Sequence, residues 1–241
     1  MSIIYGKNPV NEALKSGKTI NKLYIQKNSK DLEDITAFAK EKNIVTVYSD
    51  KAYIDKMVEN KNSQGIVASV TDYKYFDVDD ILEYAKQKNE DPVIVILDKI
   101  EDPHNLGAII RSAECLGAHG VIIQKRNAVQ VNDTVEKTSA GALEYVKVAR
   151  VTNITETIKY LKEKGLWIYG LDMDGQNDIC KEKLSGPLGI VIGSEGFGIS
   201  RLIKENCDVL VKIPMVGKIN SLNASVSNAI ALYEILRQKL K

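Results

Sequence analysis

Short apolar runs and longer helical-period stretches alternate along most of this chain. In the N-terminal part Leu23-Tyr24-Ile25, Ile44 to Val47 and Ile66 to Val70 carry the β-branched and aromatic enrichment of strands. Between them, Pro9 to Leu14, Leu32 to Lys40 and Lys51 to Val58 repeat at helical spacing, which predicts a small α/β unit ending near Thr71. Asp72 to Asp91 is polar and aromatic-charged, with one short helix expected over Val78 to Lys88. The expected division is therefore residues 1–72, a joining segment 73–91, and a larger domain over 92–241.

In that larger part Val93 to Leu97 is continuously apolar, as a strand covered on both faces of a parallel sheet must be. Similar runs recur at Gly120 to Ile123, Leu166 to Leu171, Leu188 to Ile192 and Val209 to Ile213. Helical stretches at Leu106 to Leu116, Ile154 to Lys164, Ser200 to Asn206 and Ala224 to Leu240 separate them. The alternation predicts an α/β protein with an open parallel sheet and helices on both sides. On the last helix Ala229, Ile230, Leu232, Tyr233 and Leu236 form the stripe expected to face mostly the core, with part of it left for a dimer interface.

Composition narrows the partners more than the fold. The chain has 241 residues, 44% hydrophobic and 27% charged, with a formal charge of +1. A polyanionic partner must then be held by a local patch and not by net charge. Residues 1–74 hold 12 lysines against 9 acidic residues, with Lys15, Lys18, Lys22 and Lys27 close together. No apolar run reaches the roughly 18 residues of a membrane span, and the first residues lack a leader pattern, so a cytoplasmic protein is expected. Cys115, Cys180 and Cys207 are far apart, which predicts buried free thiols and neither disulfides nor a metal site. His104 and His119 make no metal pair, and His119 reads as structural or solvated.

Candidate chemistry gathers in three segments. In the first, Asp102 suits a helix N-cap and Pro103 the first helical position, with Leu106, Ile109 or Ile110, Ala113 and Leu116 as the buried stripe. Asn105 lies in the first turn and Arg111 off the stripe, so spacing alone does not bring them together. Only five of 33 basic residues are arginine, and Arg111 reads equally as a solvated side chain or as a functional planar fork. The second segment, Gly193-Ser194-Glu195-Gly196-Phe197-Gly198, follows a strand. It reads as a tight turn or as a ligand loop, but its glycine order and late position do not suit a dinucleotide fingerprint. The third runs from Ile213-Pro214-Met215 to Asn220-Ser221-Leu222-Asn223-Ala224-Ser225, where Ser221 or Asn223 could cap the last helix.

Together these segments resemble the SpoU/TrmH family of RNA ribose 2'-O-methyltransferases, within the SPOUT class. The resemblance rests on D-x-x-x-D-P-x-N-x-G-x-x-x-R from Asp98 to Arg111, I-G-x-E-G-x-G from Ile192 to Gly198, and I-P-M followed by S-L-N-x-S from Ser221 to Ser225. Tyr5-Gly6-Lys7-Asn8-Pro9-Val10 and Gln64-Gly65-Ile66-Val67-Ala68 resemble the substrate-binding domain of the longer members, except that Ser63 stands where a histidine is usual.

The resemblance implies a ribosomal-protein-like N-terminal domain that recruits RNA, a C-terminal trefoil knot, S-adenosylmethionine as cofactor, no metal, and a homodimer whose active sites draw on both subunits. It assigns cofactor contacts to Gly193, Gly196, Ile213, Met215, Leu222, Asn223 and Ser225. It assigns catalytic roles to Asn105, Arg111, Glu195, Ser221 and Asn223, with Arg111 central. An arginine side chain keeps its proton to a pKa above about 12, so Arg111 suits the positioning of phosphate and hydroxyl better than proton removal, with Glu195 to orient it. The long members most resemble large-subunit (23S) ribosomal RNA guanosine 2'-O-methyltransferases. The alternatives are a tRNA-directed enzyme, an antibiotic-resistance rRNA methylase, a catalytically idle RNA-binding or assembly protein of the same fold and, remotely, a dinucleotide oxidoreductase.

Overall fold

A computed structural model describes residues 2–15, 18–59, 61–71, 73–219 and 221–240. Asp72, at the expected domain boundary, and Asn220 of the third segment lie outside them. The chain divides into two compact units, one of Met1–Lys74 with Gln130–Asp133, the other of Tyr75–Val129 with Thr134–Lys241.

The first unit runs β1 (Ser2–Tyr5), α1 (Lys7–Lys15), β2 (Thr19–Gln26), α2 (Glu33–Glu41), β3 (Thr46–Ser49), α3 (Lys51–Met57) and β4 (Ile66–Thr71). Its sheet has the order β1-β4-β2-β3, with β4 antiparallel to both neighbours and β3 parallel to β2. Sequence periodicity predicts every element but β1, which is four residues long and is followed by Gly6, whose φ of 90° starts the turn into α1. Val10, Leu23, Leu32, Ala39 and Ile66 close the main core. Asn21 is buried and donates through Nδ2 to the Val131 carbonyl at 2.9 Å, so a segment far along the chain helps to build this unit.

The second unit begins with α4 (Val78–Gln87), which buries Ile81 and Ala85; the stretch that reads as a joint in the sequence thus supplies a core helix. Then follow β5 (Val93–Leu97), α5 (Pro103–Cys115), β6 (Gly120–Gln124), α6 (Asp133–Ser139), β7 (Lys147–Val151) and α7 (Ile154–Glu163). The rest is β8 (Trp167–Leu171), β9 (Asn177–Asp178), β10 (Leu188–Ile192), α8 (Arg201–Lys204), β11 (Val209–Lys212) and α9 (Ala224–Lys239). Among the described residues the sheet has seven strands, all parallel, in the order β7-β6-β5-β10-β8-β11-β9. Periodicity misses β7, because Lys147 and Arg150 interrupt its apolar run, as a strand at the sheet edge allows.

The expected stripe on α9 is corrected. Its buried positions are Ala224, Asn228, Ala231, Leu232, Glu234 and Ile235, whereas Ile230 and Tyr233 are exposed. Leu232 of the expected stripe is buried, but the inner face is centred further round the helix, where Asn228, whose Nδ2 donates to Ser112 Oγ at 3.0 Å, is fully buried. No helix among the described residues is long and apolar enough to cross a membrane.

Candidate functional site

Strand register places the site. Ile192 at the end of β10 pairs with Leu97 of β5 on one side and Leu171 of β8 on the other, so the residues that follow, Gly193, Asp98 and Asp172, emerge together. The order of connections reverses between β5 and β10, and ligands of open parallel sheets bind outside the carboxyl ends of strands at such a point.

Two carboxylates pin the glycine-rich loop there. Asp98, almost fully buried, accepts from the Ser200 amide at 2.7 Å and from the Ser200 hydroxyl. Asp172 accepts from Lys204 Nζ at 2.8 Å and from the Ile199 amide at 3.4 Å. Burial works to lower the Lys204 pKa, but its bonds to Asp172 and Asp174 outweigh it and leave the ammonium above its usual range. Within the loop, Gly198 donates its amide to the Ser194 carbonyl at 2.8 Å and takes φ 62°. A Cβ on Gly193 would lie 2.1 Å from the Gly198 carbonyl carbon, so only glycine permits this close return of the backbone.

The loop walls a cleft of about 280 Å³. Of the residues given cofactor roles by resemblance, Gly193, Gly196, Ile213, Met215 and Leu222 line it, and so do the catalytic candidates Glu195 and Ser221. Asn223 and Ser225 do not. Asp172, Asp174 and Lys204 also line it and were missed in the sequence. Asp172 carried a usable signal, since it directly follows the apolar run Leu166 to Leu171.

Beside the cleft three catalytic candidates meet. Asn105, buried in the first turn of α5, donates through Nδ2 to Glu195 Oε1 at 3.1 Å. Asn223 Nδ2 donates to Asn105 Oδ1 at 2.9 Å and to Glu195 Oε1. The same Asn223 caps α9, its Oδ1 accepting from the Ser225 and Val226 amides at 2.9 and 3.3 Å. Between Ser221 and Asn223, the cap is thus Asn223. Its partner helix starts as the sequence predicts: Asp102 Oδ1 accepts from the His104 amide at 2.9 Å and Pro103 follows it. Gly107 is required by packing, since a Cβ there would come within 2.6 Å of Thr138 on α6.

Arg111 stands apart from this cluster. It is exposed on α5 and has no hydrogen-bonding or ion-pair partner among the described residues. Its neighbours on the helix, Ala108 and Ser112, line an open apolar groove shared with Val226, Ile230 and Tyr233 of α9.

The thiols correct another expectation. Cys115 and Cys180 are exposed, and only Cys207 is partly buried, where burial pushes its pKa up to about 12. His119 is structural: it is 1% exposed, and its Nδ1 accepts from the Val93 amide at 3.0 Å.

Residues 92–233 match the profile of the SpoU rRNA Methylase family, and residues 3–76 that of the RNA 2'-O ribose methyltransferase substrate binding family. YacO of Bacillus subtilis (strain 168), named for the TrmH family of tRNA/rRNA methyltransferases, is 44% identical over 238 residues, 98% of this chain and 95% of its own. A Staphylococcus haemolyticus (strain JCSC1435) protein named for the same family is 44% identical over 239 residues, 98% of this chain and 96% of its own. Among solved structures, the SpoU methyltransferase AviRb of Streptomyces viridochromogenes aligns with a TM-score of 0.64 and 27% identity, over 99% of this chain and 89% of that one. Its complex with the cofactor AdoMet aligns with the same TM-score at 26% identity, over 99% and 90% of the two chains.

Proposed function

The chain belongs to the SpoU/TrmH family of RNA methyltransferases, and on that premise we propose that it moves the methyl group of S-adenosylmethionine to a guanosine 2'-hydroxyl of large-subunit ribosomal RNA in the cytoplasm. One observation carries the reading: Asn105, Glu195 and Asn223 are hydrogen-bonded into one cluster beside a cleft at the carboxyl ends of the parallel strands. The methyl donor fits that cleft. Leu171, Ile192, Ile213 and Leu222 offer apolar walls for a purine, and nothing lies within 4 Å of where a Gly196 side chain would project. Bound there, S-adenosylmethionine supplies an electrophilic sulfonium methyl.

What remains for the protein is to align the ribose hydroxyl and ease the loss of its proton. Two carboxamides tie down Glu195 Oε1, which leaves its second oxygen to receive an N–H donor. In this reading that donor is Arg111, whose fork holds the hydroxyl and the neighbouring phosphate, while Ser221 lines the mouth. Asn223 and Ser225 act by fixing Glu195 and the start of α9. Arg111 is exposed and stands apart from the cluster of its own chain, which supports its entry from a second copy, in a homodimer built on the apolar groove between α5 and α9. Mixing inactive Arg111→Ala and Glu195→Ala proteins would then restore activity, and no recovery after subunit exchange would sink the shared site. The proposal includes the knot that the resemblance implies, favoured by the strand order around β10. Refolding within milliseconds would argue against threading.

Ribosomal RNA is preferred because the catalytic part matches an rRNA methylase profile and the first unit a substrate-binding one. The test is incubation with radiolabelled S-adenosylmethionine and, separately, unmodified ribosomal RNA and tRNA, followed by mapping of the label. One labelled 2'-hydroxyl in ribosomal RNA is expected. Label only in tRNA would move the substrate, and none in either, with cofactor bound, would point to an assembly protein of the same fold.

A further inference from the structure

The first unit holds a second polar hollow of about 340 Å³, whose lining includes Lys51, Asp55, Lys61, Asn62, Ser63 and Gln64. What separates it from ordinary solvated surface is that three of its side chains each have one atom fixed from within. Gln64 Oε1 accepts from the Lys7 amide at the start of α1 at 2.8 Å, which leaves its amide nitrogen without a partner among the described residues. Asn62 Oδ1 accepts from the Gln64 amide at 3.2 Å, and its nitrogen likewise has no partner among the described residues. Asp55 Oδ1 accepts from the buried Ser63 hydroxyl at 2.7 Å, so Oδ2 is its open acceptor. Side chains held in this way lose little further freedom on binding.

The backbone beneath them turns through the left-handed region, at a cost for Gln64 though not for glycine. Gln64 and Gly65 take φ 51° and 73° in succession, and a Cβ on Gly65 would meet Gln26 Oε1 at 3.0 Å. A side chain as long as glutamine seldom adopts a left-handed conformation, and strain of this kind collects where a ligand is held. Ser63 also explains its own presence: it fills a fully buried position under this turn and bonds both Asp55 and the Gly65 amide, at 3.3 Å.

Two oriented amide donors and one carboxylate acceptor match the edge of a nucleobase, which presents both kinds of group. Lys51, with no ion-pair partner among the described residues, and Lys61, 3.7 Å from the exposed Glu59, supply positive charge for phosphates on either side. We propose that this hollow binds one unpaired nucleotide of the RNA substrate, with Asn62, Gln64 and Asp55 on the base edge and Lys51 and Lys61 on the flanking phosphates. The inference rests on the RNA methyltransferase reading above and adds to it a recognition subsite outside the catalytic unit.

The test uses the full-length protein, fluorescein-labelled single-stranded RNA hexanucleotides and an RNA duplex of the same length, read by fluorescence anisotropy. S-adenosylmethionine affinity and melting temperature are measured alongside. Wild-type protein should prefer the single strands. Asn62→Ala should weaken them about tenfold while leaving the duplex, the cofactor and the melting temperature unchanged. The Lys51→Ala/Lys61→Ala protein should weaken strands and duplex alike and flatten the salt dependence. Wild-type affinity of Asn62→Ala for every strand, in a protein that still methylates RNA, would overturn the subsite alone. Failure of the wild-type protein to bind any RNA would overturn the substrate reading with it.

Discussion

Arg111 is the residue on which the division of labour can be checked. It lies outside the cleft proposed for the cofactor and outside the Asn105–Glu195–Asn223 cluster of its own chain. Arg111→Ala should therefore reduce methyl transfer about 100-fold or more while leaving S-adenosylmethionine affinity within a few-fold, as measured by calorimetry beside a single-turnover assay. Equal loss of both would show that it supports the cleft itself. The thiols permit a simpler check. With Cys207 held at about 12, mild iodoacetamide treatment near neutral pH should add two labels per chain, on Cys115 and Cys180, and none on Cys207. At this scale the sequence was legible where a residue type had one use: Asp102 as cap and Pro103 after it are where the chemistry of helix starts puts them. It was illegible where partners are distant in the chain, since nothing in the spacing of Asn105, Glu195 and Asn223 says that they bond.

Elements were readable where burial was one-sided or complete, as in the continuous runs of β5 and β10. They were not where both faces are apolar, as on α9, or where a strand lies at the sheet edge, as β7 does. The joint between α4, β5 and β6 carries a pH dependence. His119 donates its amide to the Val93 carbonyl at 2.8 Å, and its Nε2 lies 3.2 Å from Glu90 Oε2. Burial lowers its pKa; Lys239 and Lys88 add to that effect, while Glu90 opposes it. The unfolded chain then takes up this proton at a higher pH than the folded protein does, so the stability is complete above about pH 6.5 and lost as pH falls through the lowered value. The melting temperature should drop from about pH 7 to about pH 5, and His119→Asn, which keeps an acceptor for the Val93 amide, should lessen the drop. Equal slopes in the two proteins would remove the imidazole from the account.

For the whole molecule, the first unit takes in Gln130–Asp133, a discontinuity that no composition shift announces. The sequence reads as two contiguous blocks because periodicity reports local structure, whereas Asn21 and Val131 are joined only in the fold. A chain starting at residue 75 should still fold and bind S-adenosylmethionine, since the described lining of the cleft proposed for it lies wholly in the second unit, but should lose most of its RNA affinity. Loss of cofactor binding in that fragment would mean that the catalytic unit needs residues 1–74 to fold.

Asn223 both caps α9 and holds Glu195, so one side chain links the order of a helix end to the state of the proposed active site. Whatever engages Glu195 must also slow the fraying of the first turn of α9. Deuterium uptake at the Ser225 and Val226 amides should therefore fall when substrate is bound, giving a readout of occupancy that needs no chemical turnover.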